Sequence, residues 1–116
     1  MFTRIDHVGL AVRDLDQAIA FYARTFDVQV VHEEVNEEQG VREAMLAVGD
    51  SGSCIQLLAP LRPDSPIAKF LERSGEGVQQ VAYVRTRLGR HKIPRRVVFV
   101  DALPTTSTGK PRRRVT

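Results

Sequence analysis

A chain of 116 residues has room for one small domain, and no apolar run approaches the roughly 20 residues of a membrane span. The formal net charge of +3 hides a division: residues 1–83 carry thirteen Asp/Glu against seven Lys/Arg, and residues 84–116 carry ten Lys/Arg against Asp101 alone. The single cysteine, Cys54, excludes an intrachain disulfide and suits a reducing cytoplasm, and the opening Met-Phe-Thr-Arg-Ile-Asp-His lacks the pattern of a signal peptide.

Ile5–Val12 reads as a strand, with Val8, Leu10 and Val12 on one face and Ile5, His7, Gly9 and Ala11 on the other. A helix follows. Asp14 caps it, Gln17 completes a capping-box-like Asp-x-x-Gln, and Leu15, Ile19, Tyr22 and Phe26 form one stripe that Asp27 ends. Val28–Val35, Val41–Val48 and Cys54–Ala59 are expected strands, separated by Gly40 and by Gly49-Asp50-Ser51-Gly52. A short helix should start at Ser65 with Pro66 in its first position and stop at Gly75. Val78–Tyr83 reads as a further strand. The body is therefore α+β in the order β-α-β-β-β, a linking helix, and β.

The remainder changes character. Arg85–Arg96 is basic and interrupted by Gly89 and Pro94, and Val97–Val100 is a short candidate strand. Pro104–Thr116 is expected to be mobile unless something holds it. Such a basic end suits phosphate groups, of nucleic acid or of CoA. Only Phe99 is aromatic there, which weakens a stacking-based single-strand reading, so nucleic acid is not the expected partner.

Four body side chains stand out. His7 faces the side that carries Ile5, where a lone histidine is either structural or a ligand. Gln56, inside Cys54-Ile55-Gln56-Leu57-Leu58, must find a partner if buried, a metal or an ordinary hydrogen bond. Glu43 shares its face with Met45 and Ala47, which favours an inward carboxylate. Gln80 more simply hydrogen-bonds than binds metal. Cys54 reads as a small core residue.

Ile5-Asp6-His7-Val8-Gly9-Leu10-Ala11-Val12, with Asp14-Leu15-Asp16 and Ala20-Phe21-Tyr22, resembles the opening of a vicinal oxygen chelate (glyoxalase-like) domain. Val35-Asn36-Glu37-Glu38-Gln39-Gly40-Val41, Glu43-Ala44-Met45-Leu46, Gln56-Leu57-Leu58, Arg62-Pro63-Asp64-Ser65 and Gly75-Glu76-Gly77-Val78 narrow the resemblance to the methylmalonyl-CoA epimerases, over about residues 3–84. That family pairs two βαβββ modules around a divalent metal such as Co²⁺ or Mn²⁺. The resemblance implies metal ligands at His7, Gln56 and, where the family has His, Gln80. The fourth ligand, a Glu on the last strand of the second module, has no counterpart in a truncated second module. Glu43 matches one of the two acid/base carboxylates.

Residues 87–100 and Leu103-Pro104-Thr105-Thr106-Ser107-Thr108-Gly109-Lys110 resemble the C-terminal end of acyl-CoA synthetases, adenylate-forming ligases in which the Lys of Pro-x4-Gly-Lys, here Lys110, reaches the acyl-adenylate. Residues 1–84 and 85–116 thus read as two parts of a chimera. The resemblance implies an isomerase-type reaction, metal-assisted proton transfer at C2 of a CoA thioester, weakened by the lost positions. The alternatives are a CoA-thioester-binding module without catalysis and a structural chimera with no enzymatic function. Pairing of two copies through their βαβββ modules, as a homodimer, would supply His7, Gln56 and Glu43 twice over.

Overall fold

A computed structural model describes residues 1–85 and 97–101, the latter by backbone alone. Lys110 and the ligase-like segment apart from residues 97–100 lie outside the described residues, as do the basic stretch beyond Arg85 and the expected mobile end. The elements run β1 (Phe2–Ala11), α1 (Leu15–Phe26), β2 (Val30–Asn36), β3 (Val41–Ala47), β4 (Cys54–Pro60), α2 (Pro66–Ser74), β5 (Gly77–Arg85) and β6 (Val97–Asp101). This is the expected α+β order. The strands form one sheet in the order β2-β3-β4-β1-β5-β6.

Both helices begin where their capping chemistry lies. The Asp14 carboxylate accepts from the backbone N–H of Gln17 at 3.0 Å. Asp27 closes α1 in the left-handed conformation, φ 56°, and its N–H reaches the Ala23 carbonyl. The buried Ser65 hydroxyl accepts from Ala68 N–H at 3.1 Å, and Pro66 opens α2. Gly40, φ 70°, turns the β2–β3 connection against Ser65, whose Cβ lies 3.0 Å from where a side chain would start. Arg62 clamps the same turn by donating to the Glu37 and Glu38 carbonyls at 2.7 and 3.1 Å.

The sheet has an apolar layer on each face. On one, Val12, Leu15, Ala44, Leu46, Leu57 and Ala59 pack under α1, with Leu10, Ile19, Tyr22 and Ile55 around them. On the other, α2 covers one end through Ile67, Phe70 and Leu71 against Ala11, Val41 and Leu58. The rest of that second face carries the polar side chains described below.

Strand limits depart from the sequence reading for tertiary reasons. β1 starts at Phe2, because β5 runs antiparallel along its whole length and Phe2 stacks on Tyr83 at 4.5 Å between ring centroids. Val28 precedes β2 and packs against the α1 cluster instead of opening the strand. β6 lies parallel to β5. With β4 on one side and β5 on the other, β1 has no open edge. A dimer that pairs β1 with a partner's β1 therefore requires β5 to leave.

Candidate functional site

The polar face centres on Gly9. In the ladders Gly9 lies opposite Gln56 on one side and Gln80 on the other. A Cβ at Gly9 would stand 2.6 Å from Gln80 Cγ and 3.1 Å from Gln56 Oε1. The missing side chain is what lets the two amides meet across β1. Gln80 Nε2 donates to Gln56 Oε1 at 2.9 Å, and Gln56 Nε2 donates to Glu43 Oε2 at 2.9 Å. Three strands, β5, β4 and β3, thus contribute to one chain of hydrogen bonds that ends on a carboxylate. Gln56 is only 4% exposed, so its partners satisfy a group that would otherwise be costly to bury.

His7 lies two residues before Gly9 on the same strand and face, opposite Cys54 and Ala82. It is 3% exposed, and its Nδ1 stands 2.7 Å from Oδ2 of Asp6, itself 6% exposed. Neighbours on a regular strand point to opposite faces. Here the β1–β5 register shifts between Ile5 and His7, and this irregularity lets Asp6 turn beside the ring. A carboxylate only accepts, so Nδ1 carries the hydrogen, and Nε2 is the atom of the neutral ring left with a lone pair. Arg4 Nη1 reaches Asp6 at 3.8 Å and donates to the carbonyls of Ile5 and Gly52.

The structure therefore links Glu43, Gln56 and Gln80 through the central Gln56 amide and sets His7 two residues along β1 from Gly9. Asp6, beside the His7 ring, and Gly9, between the two amides, are positions of this face the residue pattern does not single out. Alternation assigns Asp6 to the wrong side, and only a register shift corrects it. Cys54, half-buried at the start of β4, is near the surface of the sheet end rather than deep in the core.

The central strands also explain the missing fourth position. β1/β4 and β5/β6 are parallel pairs, and β1/β5 is antiparallel. An approximate two-fold axis normal to the sheet, passing between Val8 and Val81, relates the two pairs. It carries His7 onto Gln80 and Gly9 onto Ala82. Gly9 pairs with Gln56 and Ala82 pairs with Val98, so Gln56 maps onto Val98. The register is filled by β6 rather than absent, and the residue there has no donor atom.

Among the described residues no group of three or more His, Cys, Asp or Glu side chains clusters. The donor atoms on this face are one imidazole nitrogen, the amide oxygens of Gln56 and Gln80, and the Glu43 carboxylate. A cavity of about 700 Å³ lies elsewhere, beside α1, lined by Leu10, Val12, Phe21, Tyr22, Glu76 and Val78. It contains none of the four predicted site residues.

Comparison with known proteins agrees with this fold. Methylmalonyl-CoA epimerase from Mycobacterium tuberculosis superposes with a TM-score of 0.69 at 52% identity, over 75% of this chain and 58% of that one. A variant of the Streptomyces coelicolor epimerase, in complex with 2-nitronate-propionyl-CoA, gives 0.69 at 47% identity, over 76% and 66%. Mitochondrial methylmalonyl-CoA epimerase of Homo sapiens is 39% identical over 74 residues, 64% of this chain and 41% of that protein. The chain spans about half the length of such curated relatives. A separate match, 49% identical over 35 residues, is to a feruloyl-CoA synthase of Amycolatopsis sp., 30% of this chain and 7% of that enzyme. The family model for the glyoxalase/bleomycin resistance protein/dioxygenase superfamily matches residues 6–90, and the chain belongs to that superfamily.

Proposed function

We propose that the site face holds a CoA thioester of the methylmalonyl type and that Glu43 moves the proton at C2, an isomerase-type reaction. The observation that carries this reading is the Glu43 carboxylate, held by the Gln56 amide at 2.9 Å on the face that also presents His7. In the forward step the C2–H bond breaks, the proton passes to a Glu43 oxygen, and the electron pair delocalises into the thioester as an enolate. The second N–H of each side-chain amide on this face suits the negative oxygen that forms. Returning the proton from Glu43 restores the original face of C2. Inversion requires a donor on the opposite face, where the symmetry-related register holds Val98. Exchange should therefore outpace inversion.

The residues fit a divalent metal of the kind that accepts imidazole. The His7 ring is already oriented by a carboxylate, as metal-binding histidines usually are. Gln56 Oε1 has a second lone pair beyond the one Gln80 uses. His7, Gln56 and Gln80 would hold the ion, with lower affinity than a set containing a carboxylate. Bound there, it would stabilise the developing negative charge on the thioester oxygen.

The test is deuterium wash-in at C2 of methylmalonyl-CoA in heavy water with added Co²⁺. Exchange that needs Glu43, and that exceeds the rate of inversion, is the expected result. Exchange equal to the metal-only background in both wild type and Glu43→Ala would overturn the reading. Val98 favours a second reading, a CoA-thioester-binding module without turnover. For that module, methylmalonyl-CoA affinity would be unchanged by a chelator and by Glu43→Ala.

The 35-residue likeness to a ligase supports the proposal that residues 85–116 join a ligase-type end to an epimerase-type body. No described helix is long and apolar enough to cross a membrane, and the reducing compartment suggested by the lone Cys54 remains part of the proposal. So does a homodimer, in an arrangement that leaves β5 on β1 or exchanges it; light scattering at high micromolar concentration decides between monomer and dimer.

A further inference from the structure

The hydrogen-bond chain across Gly9 has a direction, set from its carboxylate end. Glu43 only accepts, so Gln56 must turn its NH₂ group toward it. That orientation leaves Gln56 Oε1 facing β5, where Gln80 Nε2 meets it at 2.9 Å. Gln56 is 4% exposed, and without Gln80 its oxygen would lose its partner on a face closed to most water. The spacing is tight as well. Gly9 and Leu58 bound the gap in which the amides sit, with Leu58 Cδ1 only 3.3 Å from a Cβ placed on Gly9. The Gln56 amide therefore has one neighbour that demands a donor and one that supplies it. Turning it over would set its oxygen against the Glu43 carboxylate and its NH₂ against the Gln80 NH₂.

We propose that Gln80 is a positioning residue for Glu43. By donating to Gln56 Oε1 it holds that amide in the orientation that donates to Glu43 Oε2, and so fixes where the carboxylate points. The role extends across two strands and needs no direct contact between Gln80 and Glu43. It rests on the reading of Glu43 as the base, but the amide geometry can be checked independently of any turnover.

The experiment follows the side-chain amide of Gln56 by ¹⁵N–¹H spectroscopy, its signals assigned by their loss in Gln56→Leu, in wild type, Gln80→Leu and Gln80→Glu. In wild type the two Nε2 protons should be widely separated and slow to exchange with solvent. In Gln80→Leu the pair should draw together and exchange about tenfold faster, because its oxygen partner is gone. Gln80→Glu keeps the length of the side chain but presents a carboxylate to Oε1, and should perturb the pair at least as much. Dispersed backbone amide signals show that each variant is folded. In the wash-in assay at saturating Co²⁺, so that a lost ligand does not lower occupancy, Gln80→Leu should lower kcat about tenfold with KM within about twofold, the pattern of a misplaced base rather than a lost binding contact. Gln56 signals that are unchanged in both variants would overturn the proposal, whatever the wash-in rate. Absence of wash-in in wild type, with the amide signals responding as described, would remove the role of Glu43 as base and leave the positioning chain standing.

Discussion

The two parallel strand pairs at the centre of the sheet share a backbone plan and differ in chemistry. β1 and β4 carry His7, Gly9 and Gln56, lie beside Glu43 on β3, and are packed on both faces by helices. β5 and β6 repeat the pairing, related by the axis between Val8 and Val81, yet present Gln80, Ala82 and Val98 at the equivalent positions. Backbone ladders demand only strand-forming residues of suitable shape, which Val97–Val100 supply. A proton-transfer site demands particular atoms at particular registers. The second pair therefore matches the register of the first but not its side-chain donors.

The largest effect should come from removing the carboxylate that lies beside the first pair. Glu43→Ala is expected to slow C2 wash-in by about 10²-fold or more, the usual scale for a general base. Val98→Ala, at the register that stands in for a base in the second pair, should leave wash-in within about twofold. Comparable losses in the two variants would break the contrast, because they would place proton transfer on both sides of the axis.

Next in size is a test of the cradle. Gly9→Ala forces a methyl to within 2.6 Å of Gln80 Cγ, so the amides must separate or the strands must shift. Overpacking of this kind costs about 1–3 kcal/mol, readable as a lower denaturation midpoint. The symmetry mate already has its methyl, since Ala82 is fully buried without difficulty. Replacing it by glycine loses one buried methyl and gains strand entropy cost, about 1 kcal/mol. The first variant should also move the Gln56 amide signals, and the second should not. Equal spectral responses would mean that Gly9 is a packing accident rather than the opening for the amide chain.

These contrasts mark what is legible in the residues. The alternation of Val8, Leu10 and Val12, the stripe from Leu15 to Phe26 and the caps at Asp14 and Ser65 depend on neighbours within a few positions. They read directly into β1, α1 and α2. The meeting of Glu43, Gln56 and Gln80 is reached only through resemblance, because three strands far apart in the chain must align to create it. Asp6 escapes notice because a register shift between strands has no local sign in an alternating pattern. Val98 is unreadable for a related reason. Its significance lies in facing Ala82 across a parallel ladder, and nothing in Val-Val-Phe-Val states which residue faces which.

The smallest expected effect sharpens the comparison from the other side. If the second pair lacks only donor atoms and keeps the register, then supplying one there should improve the site without rebuilding the fold. Val98→Glu places a carboxylate at the position that the axis relates to Gln56. Charged oxygen ligands bind divalent cations more strongly than amides do. The substitution should therefore raise Co²⁺ affinity by about tenfold, or about 1.4 kcal/mol, read from the visible absorption of the bound ion. Because the introduced carboxylate would also offer a second proton donor, inversion at C2 should rise relative to wash-in. A carboxylate in a short strand at the sheet edge costs some stability, and a denaturation midpoint measured alongside separates that cost from the gain. Unchanged affinity with the fold intact would mean that β6 matches β4 in hydrogen bonding but not in the placement of its side chains. The resemblance between the two pairs would then end at the backbone.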